Sequence, residues 1–247
     1  MRPSDVQHAP LVIITDAHIS RQHGNSAAFF EMLAVLEQGA GDVVFLGDIF
    51  DLWIALARYE DALHHRFLSW CQRQKARRRV GFVEGNHEFF LARQHGDAFT
   101  WCTPQAWWRD AEGNLFCHGD RINRFDRRYL AFRRLIKNPI ARAAIYGLPL
   151  GPRLVQHVKE RMKGTNREFR KFLPQEQLRQ FAENRFREGV VRIFLGHFHQ
   201  AFHYQATRGR DLYTLPDWHS EEWISVLLGD CGGLRQGPWR ELLPVHS

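Results

Sequence analysis

The sequence predicts an α/β fold built around a buried sheet, and three observations carry that expectation. Short apolar runs rich in β-branched residues recur at Leu11–Thr15, Val43–Leu46, Val80–Val83, Leu115–Cys117 and Val190–Leu195. Segments with helical spacing lie between the early ones. Each run also ends in a glycine, a carboxylate, an amide or an imidazole, where a strand gives way to a loop. Strand and helix in alternation argue for a sheet covered by helices.

The elements follow in order. Leu11–Thr15 is apolar enough to be a strand buried on both faces. Ser26–Gln38 places Phe29, Phe30, Leu33 and Leu36 at helical intervals, and Asp61–Lys75 does the same with Leu63, Phe67, Leu68 and Cys71. From Asp120 to about Arg187 no strand pattern occurs. That stretch is basic, helix-forming and punctuated by Pro139, Pro149, Gly151, Pro152, Gly164 and Pro174, which predicts a helical insertion. Strand character resumes at Val190, and Tyr213-Thr214-Leu215 and Trp223–Leu228 make the remainder β-rich. With 247 residues, no internal repeat and no flexible linker, the chain reads as one domain over 1–247, with 121–187 inserted in it.

Composition narrows the classes. A 44% hydrophobic, 25% charged, 13% aromatic chain is globular rather than disordered. Ala143–Pro152, the longest uncharged stretch in the middle of the chain, is far short of the ~20 apolar residues of a membrane span. Asp16 interrupts the first apolar run too early for a signal peptide, so a cytoplasmic location is expected. Cys71, Cys102, Cys117 and Cys231 form no C-x-x-C pair, which suits reduced thiols rather than disulfides or a zinc knuckle. The net charge of +7 is unevenly spread: residues 121–171 hold 15 Lys/Arg against 3 Asp/Glu, and the rest of the chain 19 against 24. An anionic partner is expected at that segment: a phosphorylated small molecule, nucleic acid or an acidic membrane surface.

The chemistry lies at the strand ends. These read Asp16-Ala17-His18, Gly47-Asp48-Ile49-Phe50-Asp51, Gly85-Asn86-His87-Glu88, His118-Gly119-Asp120 and Gly196-His197-Phe198-His199. In α/β sheets the loops at the carboxyl ends of the strands converge on one crevice. Oxygen and imidazole donors without thiolate suit Mn, Fe, Zn or Co. Glycines at 47, 85, 119 and 196 allow sharp turns and close backbone approach. Asp16, His18, Asp48, Asn86, His118, His197 and His199 suffice for two metal sites sharing a bridge. Asp48 is the natural bridge, because a carboxylate has two oxygens. Two cations ~3.5–4 Å apart form a clamp for hydrolysing a phosphate ester.

These blocks closely resemble, in order and over nearly the whole chain, the D-x-H, G-D-x-x-D, G-N-H-D/E, H and G-H-x-H pattern of the calcineurin-like metallophosphoesterases. The resemblance implies a four-layer α/β/β/α sandwich and two divalent metal ions, Mn2+ foremost, with Fe, Zn or Co as alternatives. It assigns Asp16, His18 and His199 to the first ion, Asn86, His118 and His197 to the second, and Asp48 to both. His87 becomes the general-acid candidate, Glu88 the group orienting it, and Asp51 a support.

Within the family the chain resembles the UDP-2,3-diacylglucosamine diphosphatases of lipid A biosynthesis, through Gly47-Asp48-Ile49-Phe50-Asp51-Leu52-Trp53-Ile54, His118-Gly119-Asp120 and a basic lid carrying Tyr129-Leu130-Ala131-Phe132-Arg133-Arg134. That branch implies a nucleotide-linked lipid sugar as substrate, with Asn86, Asp126, Tyr129, Asn166 and Arg170 in contact with it. Peripheral contact with an anionic membrane is a further expectation; nucleic acid is a lesser one. The chain departs from the branch after His118-Gly119-Asp120, where Arg121-Ile122-Asn123-Arg124-Phe125-Asp126 replaces a Cys-Thr-Asp-Asp run. A related phosphomonoesterase or phosphodiesterase with another substrate is therefore the alternative.

Overall fold

The computed structural model describes residues 9–122, 173–207, 209–229 and 233–243. The strands are β1 (Leu11–Ile14), β2 (Asp42–Phe45), β3 (Trp53–Ile54), β4 (Val80–Val83), β5 (Glu88–Phe89), β6 (Trp101–Thr103), β7 (Trp108–Arg109), β8 (Asn114–Cys117), β9 (Arg192–Leu195), β10 (Phe202–Ala206), β11 (Arg210–Thr214), β12 (Trp223–Leu227) and β13 (Leu234–Pro238). The helices are α1 (Ser26–Gln38), α2 (Ala62–Lys75), α3 (Leu91–His95), α4 (Gln175–Arg187), α5 (Trp218–Glu221) and α6 (Trp239–Leu242).

A six-stranded sheet runs β13-β12-β1-β2-β4-β6 and a five-stranded sheet runs β10-β11-β9-β8-β7; β3 and β5 pair separately. In the first sheet β1, β2, β4 and β6 are parallel. In the second, β8, β9 and β11 are parallel.

Period-two alternation then builds the layers. Val12, Ile14, Val43 and Phe45 face one way, into a core with Phe29, Leu33 and Leu36 of α1 and Phe67 and Cys71 of α2. Ile13 and Val44 face the other way and meet Phe116 and Phe194 of the second sheet. Leu115, Cys117, Ile193 and Leu195 point outward again, under Leu178, Ala182 and Phe186 of α4. Three apolar interfaces thus separate four layers, α/β/β/α. Of the 121–187 segment, α4 packs as the outer layer of the second sheet, because its buried Leu178, Ala182 and Phe186 recur at three-to-four-residue spacing. Residues 123–172 lie outside the described residues.

Local chemistry sets the boundaries. Asp61 caps α2, accepting from the backbone N–H groups of Leu63 and His64, while His64 Nδ1 accepts from the Asp61 N–H. At one edge of the sandwich Trp101 of β6 stacks on Trp108 of β7, with centroids 3.9 Å apart and planes at 10°, joining the two sheets. That stack needs the glycine beside it. Gly81 is the β-partner of Trp101, and a Cβ there would lie 2.1 Å from the indole. Among the described residues no helix is long and apolar enough to cross a membrane.

Gly81→Ala is expected to push Trp101 off Trp108 and cost about 1–3 kcal/mol, the usual range for overpacking. Urea unfolding with near-UV circular dichroism measures both effects; unchanged stability and an unchanged aromatic signal would contradict the packing described.

Candidate metal centre

Three of the four parallel strands of the first sheet and the three of the second end at one rim, and the loops leaving β1, β2, β4, β8, β9 and β11 converge there. Asp16, His18 and His199 bring donor atoms within 4.8 Å of one another, as do Asp48, His118 and His197. Asn86 joins the second group, its Oδ1 2.9 Å from His118 Nε2. All seven residues singled out as ligands therefore meet. A third group, His18, Asp51 and His87, is equally close.

The backbone at this rim is unusual. Asp16, His18, Asp48, His197 and His199 all have positive φ, between 45° and 69°. Among the described residues only Phe90 and Glu222 share this conformation without being glycine. Left-handed non-glycine residues cost on the order of 1–3 kcal/mol and persist only where surroundings over-determine them. Here they turn the side chains inward. Close approach uses a second device: a Cβ on Gly85 would sit 2.2 Å from Asp48 Oδ1, and one on Gly196 2.0 Å from Thr15 Oγ1.

Charge is concentrated and buried. Asp16 Oδ2 accepts from the Thr15 hydroxyl at 2.6 Å and from the His197 N–H at 2.7 Å. Its Oδ1 is buried with no hydrogen-bond partner, and so is His18 Nε2, 3.9 Å away. His199 Nε2 lies 3.3 Å from that same Oδ1. Two orphaned buried polar atoms cost roughly 1–3 kcal/mol each, and a cation among Asp16, His18 and His199 would satisfy both. Burial, reinforced by His87, pushes His18 well below the usual imidazole range, leaving its nitrogen available as a donor atom.

The second group is organised by protons. His118 Nδ1–H donates to the Leu46 carbonyl at 2.7 Å, and Nε2–H faces the Asn86 oxygen, which can only accept. Both nitrogens thus face acceptors, an arrangement that favours the charged imidazolium. Burial opposes that charge, but Asp48, Asp16 and Asp120 raise His118 to about 10. His197 is lowered to about 4, first by burial and then by the neighbouring charge on His118. Burial alone would raise Asp48, yet His87, His118 and His18 hold its carboxyl well below the usual range. Imidazoles of both groups thus feel the Asp48 charge.

The two residues expected in supporting roles, Glu88 and Asp51, both lie against this centre. Glu88, expected to orient His87, directs its carboxylate to three backbone N–H groups, of Asp48, Ile49 and Gly85, at 2.8–2.9 Å. The His87 ring is held by the Asp51 carbonyl, which accepts from Nδ1–H at 2.5 Å. His87 Nε2 then lies 3.7 Å from Asp48 Oδ2, and the side chain is 26% exposed at the mouth of the site. Asp126, Tyr129, Asn166 and Arg170 lie outside the described residues.

Three residues escaped the sequence analysis. Asp217 stands 3.3 Å from His199 Nδ1, fixed by the N–H and hydroxyl of Ser220. His219 packs edge-on to His18 at 5.9 Å, and Asn25 contacts His219. Pro216-Asp217-Trp218-His219 follows a strand as the five chosen motifs do, so the same rule would have found two of the three.

Comparison with known proteins places the chain. Residues 9–201 match the family model of the calcineurin-like phosphoesterases. The chain belongs to that family, and it is a metal-dependent phosphoester hydrolase. It is similar to the UDP-2,3-diacylglucosamine hydrolase of Ectopseudomonas mendocina (25% identity; 95% of this chain, 100% of that one) and to that of Azotobacter vinelandii (28%; 86% and 92%). The match to the Pseudomonas syringae protein of the same name covers 58% of this chain and 59% of that one, at 28% identity. Among solved structures, Yfce, a phosphoesterase from E. coli, aligns over 88% of this chain and 87% of its own at 14% identity, with a TM-score of 0.39.

Because a coordinating imidazole needs a free lone pair, binding of Mn2+ at pH 7.5 is expected to release about one proton per chain from His118 and none from His197 or His18. Calorimetric titrations in buffers of different ionisation enthalpy count it; zero proton release would overturn the charge state described for His118.

Proposed function

We propose that the chain is a dinuclear pyrophosphatase that hydrolyses UDP-2,3-diacylglucosamine to UMP and a diacylglucosamine 1-phosphate. In this reading Asp16, His18 and His199 hold one divalent ion, Asn86, His118 and His197 the other, and Asp48 is shared; Mn2+ is the first choice, with Fe, Zn or Co as alternatives. The observation that carries the two-ion assignment is the pair of donor groups at one rim, with the Asp48 charge felt by both. The substrate assignment rests on the relatives' name and the Asp48-to-Ile54 motif.

Bound ions supply electrophilic polarisation of the phosphoryl oxygens and an acidified water. The chain's own groups do the rest. Asp48 and Asp16 keep the centre anionic, so that cations are retained beside a polyanionic substrate. Asp217, by accepting from His199 Nδ1–H, directs the opposite nitrogen toward Asp16. His87, its Nδ1–H tied to the Asp51 carbonyl, presents Nε2 to the departing phosphoryl oxygen. The lysines and arginines of residues 121–171 suit the pyrophosphate. Asp126, Tyr129, Asn166 and Arg170 are assigned contacts with the sugar nucleotide. The same basic segment, with the apolar residues interspersed in it, suits peripheral contact with an anionic bilayer.

The decisive assay is UMP release from UDP-2,3-diacylglucosamine and from its deacylated analogue by Mn2+-loaded protein. The acylated compound is expected to be strongly preferred, and equal rates would favour a phosphomonoesterase or phosphodiesterase of different substrate. Bis-p-nitrophenyl phosphate turnover abolished by a chelator tests the metal requirement separately.

Two substitutions probe the division of labour. Asp48→Ala is expected to leave less than about a tenth of wild-type turnover together with reduced metal content. His87→Ala is expected to keep both ions while lowering kcat by about 10²–10⁴. Loss of metal from the His87 variant would make that residue a ligand instead.

A further inference from the structure

Asn25 stands at the N-cap of α1, where an asparagine side chain ordinarily accepts from a first-turn N–H. It makes no such bond. Its amide turns the other way, toward the loop after β1. Nδ2 donates to the carbonyls of Ala17 at 3.1 Å and His18 at 3.4 Å, and Oδ1 accepts from the Ser20 N–H at 3.3 Å. Nδ2 also lies 3.3 Å from His219 Nδ1.

This loop holds two of the left-handed residues, Asp16 and His18, on either side of Ala17. Its N–H groups are met from the β2 side: Asp16 by the Gly47 carbonyl, His18 by Asp48 and Ile19 by Ile49. The carbonyls of Thr15 and Asp16 accept from the N–H groups of Trp218 and His219. The Ala17 and His18 carbonyls, at the outer edge of the turn, are the ones Asn25 meets. A helix cap has been given up to hold a strained turn in place.

We propose that Asn25 is a positioning residue of the metal centre. It clamps the Asp16–His18 turn and ties it to His219, so that Asp16 and His18 address one cation. This rests on the two-ion reading above. Partners that orient ligands in this way typically change metal affinity by about 10–100-fold.

The test uses two variants of the full chain. Asn25→Ser removes the amide but offers a hydroxyl suited to capping α1. Asn25→Asp keeps the shape and the acceptor for Ser20, but sets a carboxylate oxygen against the two carbonyls. Mn2+ binding is measured by calorimetry and by metal analysis, with melting temperature of the metal-free proteins alongside. The wild type is expected to bind two ions per chain. The Ser variant is expected to melt within about 2 °C of wild type or higher, with one site weakened about 10–100-fold; Asp should weaken the same site at least as much. Wild-type affinity at both sites in either folded variant overturns the inference alone. So does a fall in melting temperature with metal content per folded chain unchanged, which marks a purely structural role. Fewer than two ions in the wild type overturns the two-ion reading, and this inference with it.

Discussion

Two carboxylates, Asp16 and Asp48, are buried at the rim where the sheets meet, and the surroundings answer to them. An ionised carboxylate removed from water is tolerated only with compensating charge or hydrogen bonds. Asp16 obtains hydrogen bonds from Thr15 and His197 on one oxygen, and Asp48 obtains one from the His87 backbone N–H. Imidazoles supply the rest. His118 holds a proton that burial alone would remove, whereas His18 and His197 have lost theirs. One imidazole beside Asp48, that of His118, thus keeps its positive charge while those of His18 and His197 are neutral, a distribution suited to exchanging protons for cations.

Geometry at the rim depends on conformational strain distributed over five candidate ligands. Each left-handed residue is tolerable because strand pairing fixes the backbone just before it: β1 is in register with β2, and β8 with β9. The backbone bonds from Asp16, His18 and Ile19 to the loop after β2 then lock two of the site-forming loops together. Glu88 contributes from beneath by gathering the N–H groups of Asp48, Ile49 and Gly85. Rigidity of the sandwich is in this sense transmitted to the donor atoms.

Much of this was legible in the sequence, because it depends on periodicity and on residue type at strand ends. The Ser26–Gln38 helix matches residue for residue, and Asp61 proves to be the cap that starts the second. The seven candidate donors could be picked out because Asp, Asn and His after a buried strand are few and chemically distinct. The supporting groups were less legible. Glu88 sits next to His87 in sequence but serves backbone three to forty residues away. Asn25 looks like an ordinary helix cap, and only three-dimensional contacts reveal where its amide goes. Composition grouped α4 with the basic segment, since a polar helix with a narrow apolar stripe reads alike whether it covers a sheet or stands apart.

The bond from the His197 N–H to the Asp16 carboxylate spans 181 residues. Neither of the two groups assigned to the ions is complete within one sheet: Asp16, His18, Asp48 and Asn86 come from one, His118, His197 and His199 from the other. Long-range closure of this kind is slow and comes late in folding. Each of these two pockets is therefore complete only once the two sheets have docked. Ions acquired at the end act mainly on how long the finished molecule lasts, by slowing the separation of the sheets.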